Sequence, residues 1–178
     1  MTAIVGLEHD GKVYIGGDSA SVDRDQLTIN IFTEPKVFKN KNFIFGYTNS
    51  FRMGQILQHI FEPPFHKKHM SDMKYLCGSF INEAFKSFKD NGYSLGEDDD
   101  GQLFLLGYKG KLYEVQADRH ICHIANSFRA VGCGSHFAFG AMESNQSIKD
   151  PKERILQALK VAEKFSSGVC GPFHVMSI

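Results

Sequence analysis

The apolar residues of this chain change period twice, and that change restricts the fold more than any single motif does. Residues 3–9 and 12–17 are β-branched runs separated by Asp10-Gly11. Asp-Gly between two such runs predicts a tight hairpin, because both central residues of that turn need positive φ. Residues 36–39 and 42–48, around Asn40-Lys41, predict a second strand pair, with a short strand over 27–32 between the two. The period then becomes helical. Ile56, Leu57, Ile60 and Phe61 share one face of a helix over 55–61, which Pro63-Pro64 stops. Met73, Leu76, Cys77, Phe80, Ile81, Ala84, Phe85 and Phe88 keep i, i+3, i+4 spacing over four turns. Ser71 or Asp72 caps that helix and Asn91-Gly92 closes it. On such a stripe Cys77 reads as a buried small side chain.

Strand patterning returns at 102–108, 111–117 and 120–125, and helical patterning at 135–143 and 151–165. Asp150 is the expected cap of the last helix, with Pro151 in its first position, and 173–178 closes the chain as a strand. Runs of strands followed by runs of helices indicate an α+β fold, with two antiparallel sheets each covered by a helix pair. No repeat, low-complexity tract or linker divides the 178 residues, so a single domain over 1–178 is expected.

Charge and cysteine usage narrow the function classes. Twenty Lys and Arg balance twenty Asp and Glu, which opposes nucleic-acid or membrane-surface binding, since both draw on a net positive field. No apolar run approaches the roughly 20 residues needed to span a bilayer. Glu8, Asp10 and Lys12 stand where a signal peptide needs its apolar segment. Cys77, Cys122, Cys133 and Cys170 form no CxxC pair, which suits reduced thiols in a cytoplasmic protein.

Several motifs fall short of a cofactor or metal site. Gly132-Cys133-Gly134-Ser135 precedes a helix, but position 137 is Phe and no GK[ST] follows, so it reads as a tight strand-to-helix turn. In Glu97-Asp98-Asp99-Asp100-Gly101 the place of a calcium loop's closing Glu is taken by Lys109, leaving a solvated acidic loop. His120 and Cys122 share a strand face while His123 points away, so no metal set is expected. No GxSxG elbow is present. Neither a cofactor nor a metal is predicted. Thr2 is the remaining candidate nucleophile. It is small enough for an aminopeptidase to remove Met1, and a free N-terminal Thr offers a hydroxyl with its own α-amine as base. That amine has a reference pKa of about 7.7–8.0, so it is partly neutral at working pH.

The surroundings of Thr2 resemble the proteasome β-subunit and HslV family of N-terminal-nucleophile (Ntn) hydrolases. The matching residues are Thr2-Ala3-Ile4-Val5-Gly6, Asp10-Gly11-Lys12, Gly17-Asp18, Lys36-Val37, Phe45-Gly46-Tyr47-Thr48-Asn49-Ser50 and Ala130-Val131-Gly132-Cys133-Gly134-Ser135-His136-Phe137-Ala138. The resemblance covers essentially the whole chain and implies a four-layer αββα sandwich. It implies a threonine-type peptidase in which Thr2 is the nucleophile, Lys36 lowers the pKa of its hydroxyl and amine, and Asp18 holds Lys36. The backbone N–H near Asn49 would serve the oxyanion, with Cys133, Ser135 and Ser167 in support. Asn49 stands where the family usually has Gly, Cys133 where it has Ser, and Ser167 and Cys170 where many members carry Asp and Ser. The implied partners are a polypeptide substrate and further copies of the chain in rings, with an ATP-dependent unfoldase left open. The second reading is a non-catalytic proteasome-like subunit acting as scaffold or assembly component. A Rossmann-type binding module is opposed by the strand order and the missing fingerprint.

Overall fold

The structure, a computed structural model, describes residues 1–23, 28–94 and 102–178. The N-terminal hairpin forms as its turn chemistry requires. β1 (Ile4–His9) pairs antiparallel with β2 (Lys12–Gly17), and Asp10 and Gly11 take φ of 49° and 70°. β3 (Ala20–Asp23) and β4 (Thr28–Ile31) form a separate two-stranded ribbon. β5 (Val37–Asn40) and β6 (Phe43–Tyr47) follow, then α1 (Phe51–His59). α2 (Asp72–Tyr75) runs through a π-helical turn (Leu76–Phe80) into α3 (Ile81–Asp90). β7 (Gln102–Tyr108), β8 (Lys111–Gln116), β9 (Ile121–His123) and β10 (Phe128–Val131) precede α4 (Ser135–Ser144), α5 (Pro151–Phe165) and β11 (His174–Ser177).

Two larger antiparallel sheets result, ordered β10-β1-β2-β11 and β5-β6-β7-β8-β9. The period of two along each strand sorts its side chains between separate clusters. Ile4, Val13 and Ile15 of the first sheet meet Ile44, Leu105 and Leu112 of the second. Val5 and Leu7 point the other way, onto Ile155, Leu159 and Met142 of α4 and α5. Phe43, Phe45 and Phe104 likewise turn away from the first sheet, toward Leu57, Phe80 and Phe88 on the helices of the other side. Gly46 lets the sheets approach: a Cβ there would stand 2.5 Å from Ile4 Cγ2 and 2.6 Å from Ile15 Cγ2.

The structure corrects several expectations. The first helix begins at Phe51, because the Ser50 hydroxyl accepts the Met53 N–H at 3.2 Å and caps it there, and it ends at His59. Ile60 is therefore 42% exposed rather than on the buried face, while Phe61 is buried beyond the helix end. Cys77 is exposed, not core. The π turn takes more residues per turn than an α-helix, so the buried positions step from Tyr75 and Leu76 to Phe80 and Ile81, leaving Cys77 outside. β3 and β10 have no counterpart in the sequence-based expectation, and β9 is shorter than 120–125. Ser71, Asn91 and Asp150 cap as expected. Leu27 and the acidic run 97–101 lie outside the described residues. Among the described residues no helix is long and apolar enough to cross a membrane.

Candidate active site

Three strand ends meet at one edge of the two sheets. Thr2 precedes β1, Asp18 follows β2 and Lys36 precedes β5. They are 4%, 0% and 2% exposed, so two charged groups and a hydroxyl are buried together. Burying charge is costly unless the groups are paired and hydrogen-bonded, and here they are. Asp18 Oδ1 and Oδ2 accept the backbone N–H groups of Ala3 and Ala20, both at 3.0 Å. The same oxygens lie 3.1 and 3.0 Å from Lys36 Nζ. Lys36 Nζ also donates to Ala20 O at 2.6 Å and to Thr2 Oγ1 at 2.7 Å.

Burial sets the protonation behaviour of the pair. It pushes Lys36 below its ordinary 10.5, against the attraction of Asp18. It pushes Asp18 above its ordinary 3.8, against the Lys36 ammonium and the two amide donors. Both directions bring the ion pair closer to neutrality than either group would be in water. A lysine so placed can support a developing alkoxide on Thr2 and can give up its proton more readily than a surface lysine.

The other side of Thr2 is built by the turn into α4. Gly132 takes φ of 94°, and a Cβ there would lie 2.3 Å from Thr2 O, so only glycine permits the approach. Gly134 N donates to Thr2 O at 3.1 Å. Thr2 N donates to Cys133 Sγ at 3.2 Å, and Cys133 Sγ lies 3.7 Å from Ser166 Oγ. Met1 is peptide-bonded here, and its carbonyl accepts from Thr2 Oγ1 at 2.5 Å and from Lys36 Nζ at 3.2 Å.

Thr2, Asp18, Lys36 and Cys133 thus come together. Asn49 lies exposed in the turn between β6 and α1 with φ of 63°, a left-handed conformation that Asn tolerates better than most residues. That turn borders the site, because the Phe51 ring centre is 5.8 Å from Lys36 Nζ and Phe32 packs edge-on against Phe51 at 5.1 Å. Ser135 opens α4, and its N–H donates to Gly132 O at 3.0 Å. Ser167 is exposed, and the hydroxyl that reaches Cys133 belongs to its neighbour Ser166. Sequence reasoning missed Ser166, the Ala20 carbonyl and Phe51. Only Phe51 left a signal, an aromatic immediately after the predicted turn. Among the described residues, no group of three or more His, Cys, Asp or Glu could hold a metal ion.

Solved structures of proteasome-like proteins share this fold almost end to end. BPH from Thiobacillus denitrificans, solved in complex with epoxomicin, superposes with a TM-score of 0.79 at 19% identity, covering 99% of this chain and 98% of that one. Eukaryotic HslV from Trypanosoma brucei matches at 0.67 and 14% identity, covering 99% and 98%. Anbu, an ancestral β-subunit, from Yersinia bercovieri matches at 0.68 and 12%, covering 99% and 81%. No protein-family model matches the sequence, and no curated protein matches it either.

Proposed function

We propose that this chain is a threonine-type peptidase of the proteasome-like kind, with Thr2 as nucleophile once Met1 is removed. The observation that carries the reading is the contact of 2.7 Å between Lys36 Nζ and Thr2 Oγ1, with Asp18 behind the lysine and all three residues buried. With Met1 gone, the Thr2 nitrogen becomes an α-amine and takes the hydroxyl proton. Oγ1 attacks the substrate carbonyl, Lys36 stabilises the forming charge, and the ammonium returns its proton to the departing nitrogen. Water then hydrolyses the ester on Thr2. A backbone donor near Asn49 serves the oxyanion, a contribution of about 3–4 kcal/mol in hydrolases that have been tested. Cys133, with Ser166 beside it, supports the amine side, and Ser135 and Ser167 are the further supporting residues that the resemblance implies.

The three hydrophobic clusters support a four-layer αββα order within one domain over 1–178. Assembly into rings, a polypeptide substrate and a cytoplasmic location follow from the same reading, with an ATP-dependent unfoldase as a candidate partner. A second reading, a non-catalytic subunit acting as a structural or assembly component, draws on the altered support of the site, where Cys133 takes the place of the family's Ser and is the weaker hydrogen-bond donor.

Intact mass before and after treatment with epoxomicin separates the two. Loss of Met1 together with one covalent adduct on Thr2 is expected. A mass equal to the full 178-residue chain and no adduct would sink the catalytic reading and favour the scaffold one.

A further inference from the structure

Two hairpin turns and the segment after α1 give one end of the molecule its own electrostatic character. Lys36 stands just before β5 and Lys41 just after it, so a strand length, roughly 13 Å, separates this end from the Thr2 site. Segment 63–70 lies here beside the β5–β6 and β7–β8 turns, with an open groove of about 500 Å³ between itself and them. Pro63 and Pro64 cannot continue α1 and lack N–H groups, so the segment passes the sheet without adding a strand to it. Side chains hold it instead. Tyr75 OH donates to Pro64 O at 2.7 Å, and His66 bonds Tyr108 OH and Met70 O, each at 2.8 Å. Tyr75 and Tyr108 are 1% and 4% exposed with centroids 5.8 Å apart, so they are floor, and a ligand lies along the groove rather than between rings. Phe65 stands out from that packing, 83% exposed, the most exposed large apolar side chain among the described residues.

Lysines flank this strip. Lys41 and Lys109 line the groove from the two turns and Lys68 from the segment, with Lys67 next in sequence. Lys111 is in register with Tyr108 on the neighbouring strand. Two carboxylates answer them: Lys41 bonds Glu62, and Lys109 bonds Asp72 at 2.7 Å. Lys67, Lys68 and Lys111 are exposed and make no ion pair among the described residues. Five lysines against two carboxylates make this end positive in a chain whose formal charge is zero. Exposed ion pairs change partners at little cost, so Lys41 and Lys109 are available as well.

That pattern selects an occupant. A long polyanion is drawn by a positive field spread over a whole molecule, which this balanced chain lacks. A short row of cations beside an apolar strip of Pro63, Pro64, Phe65 and Met70 matches instead a segment that mixes carboxylates with apolar side chains. We propose that the groove is a docking site for an acidic, extended peptide segment of a partner protein, its carboxylates at Lys67, Lys68 and Lys111 and an apolar side chain against Phe65. Neither Thr2 nor Lys36 takes part, so the site is independent of the peptidase reading.

Fluorescence anisotropy with a labelled DELEFDE peptide tests it on the intact chain, with epoxomicin present to keep the peptide from Thr2. DELEFDE is expected to bind saturably, and the amide peptide NQLQFNQ and the serine peptide DESESDE each at least about tenfold more weakly. Lys67→Gln/Lys68→Gln should weaken DELEFDE at least about tenfold and flatten its salt dependence. Phe65→Ala should weaken DELEFDE several-fold and leave DESESDE unchanged. All three changed side chains are exposed, so folding is not at stake. Hydrogen-exchange mass spectrometry should place the protection at residues 62–70 and 108–111. No saturable binding, equal affinity for the amide peptide, or DELEFDE undiminished in either variant would each overturn the proposal. Inorganic polyphosphate binding as tightly as DELEFDE would overturn it in favour of a polyanion surface. So would protection confined to Phe85, Phe88, Tyr93 and Arg119, which line a different groove.

Discussion

Asp18 and Glu114 are both buried carboxylates, 0% and 1% exposed, and each is bonded to one basic side chain. Their partners differ. Lys36 is itself only 2% exposed, so the whole Asp18–Lys36 pair is cut off from water. Arg129 is 34% exposed and bonds Glu114 through Nε, so that pair keeps one side in solvent. Glu114 lies on β8 and Arg129 on β10, which belong to different sheets, so this second pair ties the two sheets together. Desolvating both partners stores a protonation conflict that chemistry can use; leaving one partner wet gives a tether and little else.

The sharpest break in that comparison is at Lys36. Lys36→Ala should lower peptide turnover by at least about a thousandfold, and Lys36→Arg should not restore it, because a guanidinium keeps its proton and has another donor geometry. Far-UV circular dichroism should show the fold retained. Turnover kept in Lys36→Ala would reduce Lys36 to a structural counter-ion.

Stability should separate the two pairs next. Asp18→Ala leaves the Lys36 ammonium buried with no anion, a loss of about 3–5 kcal/mol. Glu114→Ala leaves an arginine that can turn to water, a loss of about 1–3 kcal/mol, with turnover largely kept. Urea midpoints of the two variants decide the order, and equal losses would erase the distinction.

The smallest expected effect is in the pH dependence of stability. Lys36 is held below 10.5, so the folded chain releases that proton before the unfolded chain does. Stability from this group therefore rises with pH between its folded value and 10.5. Asp18 is held above 3.8 and acts in the opposite sense, stability falling as pH rises from 3.8 through its folded value. The double variant Asp18→Asn/Lys36→Met should flatten both slopes relative to Glu114→Ala. Melting temperatures that change with pH in parallel in the double variant, in Glu114→Ala and in the unchanged chain would contradict the burial of the pair.

The candidate site was legible through the family resemblance, and the hairpin signals account for its placement, since Thr2, Asp18 and Lys36 stand at strand ends. Asp10-Gly11 fixes β1 against β2, and that register brings residue 18 back to residue 3. The Lys36 contacts include a backbone carbonyl, that of Ala20, which carries no residue identity for a sequence to display. Ser166 in place of Ser167 at Cys133 is a one-residue offset just past the end of α5, where no period guides the reading. β10 escaped notice because it is four residues long and includes the charged Arg129. Cys77 and Ile60 were misplaced for a common reason. A fixed helical period was carried across a place where the helix widens or stops.

The widened turn holds one more residue than an α-helical turn would, with the helix packed on either side of it. Gly78, at its centre, has open space where a Cβ would be. Removing one residue there would restore α-helical winding and turn everything before it by about 100° relative to α3. Tyr75 would leave its place against His66 and Pro64 and its seat in the buried cluster. The wider turn thus keeps Tyr75 and Leu76 before it and Phe80 and Ile81 after it in one buried cluster against the second sheet.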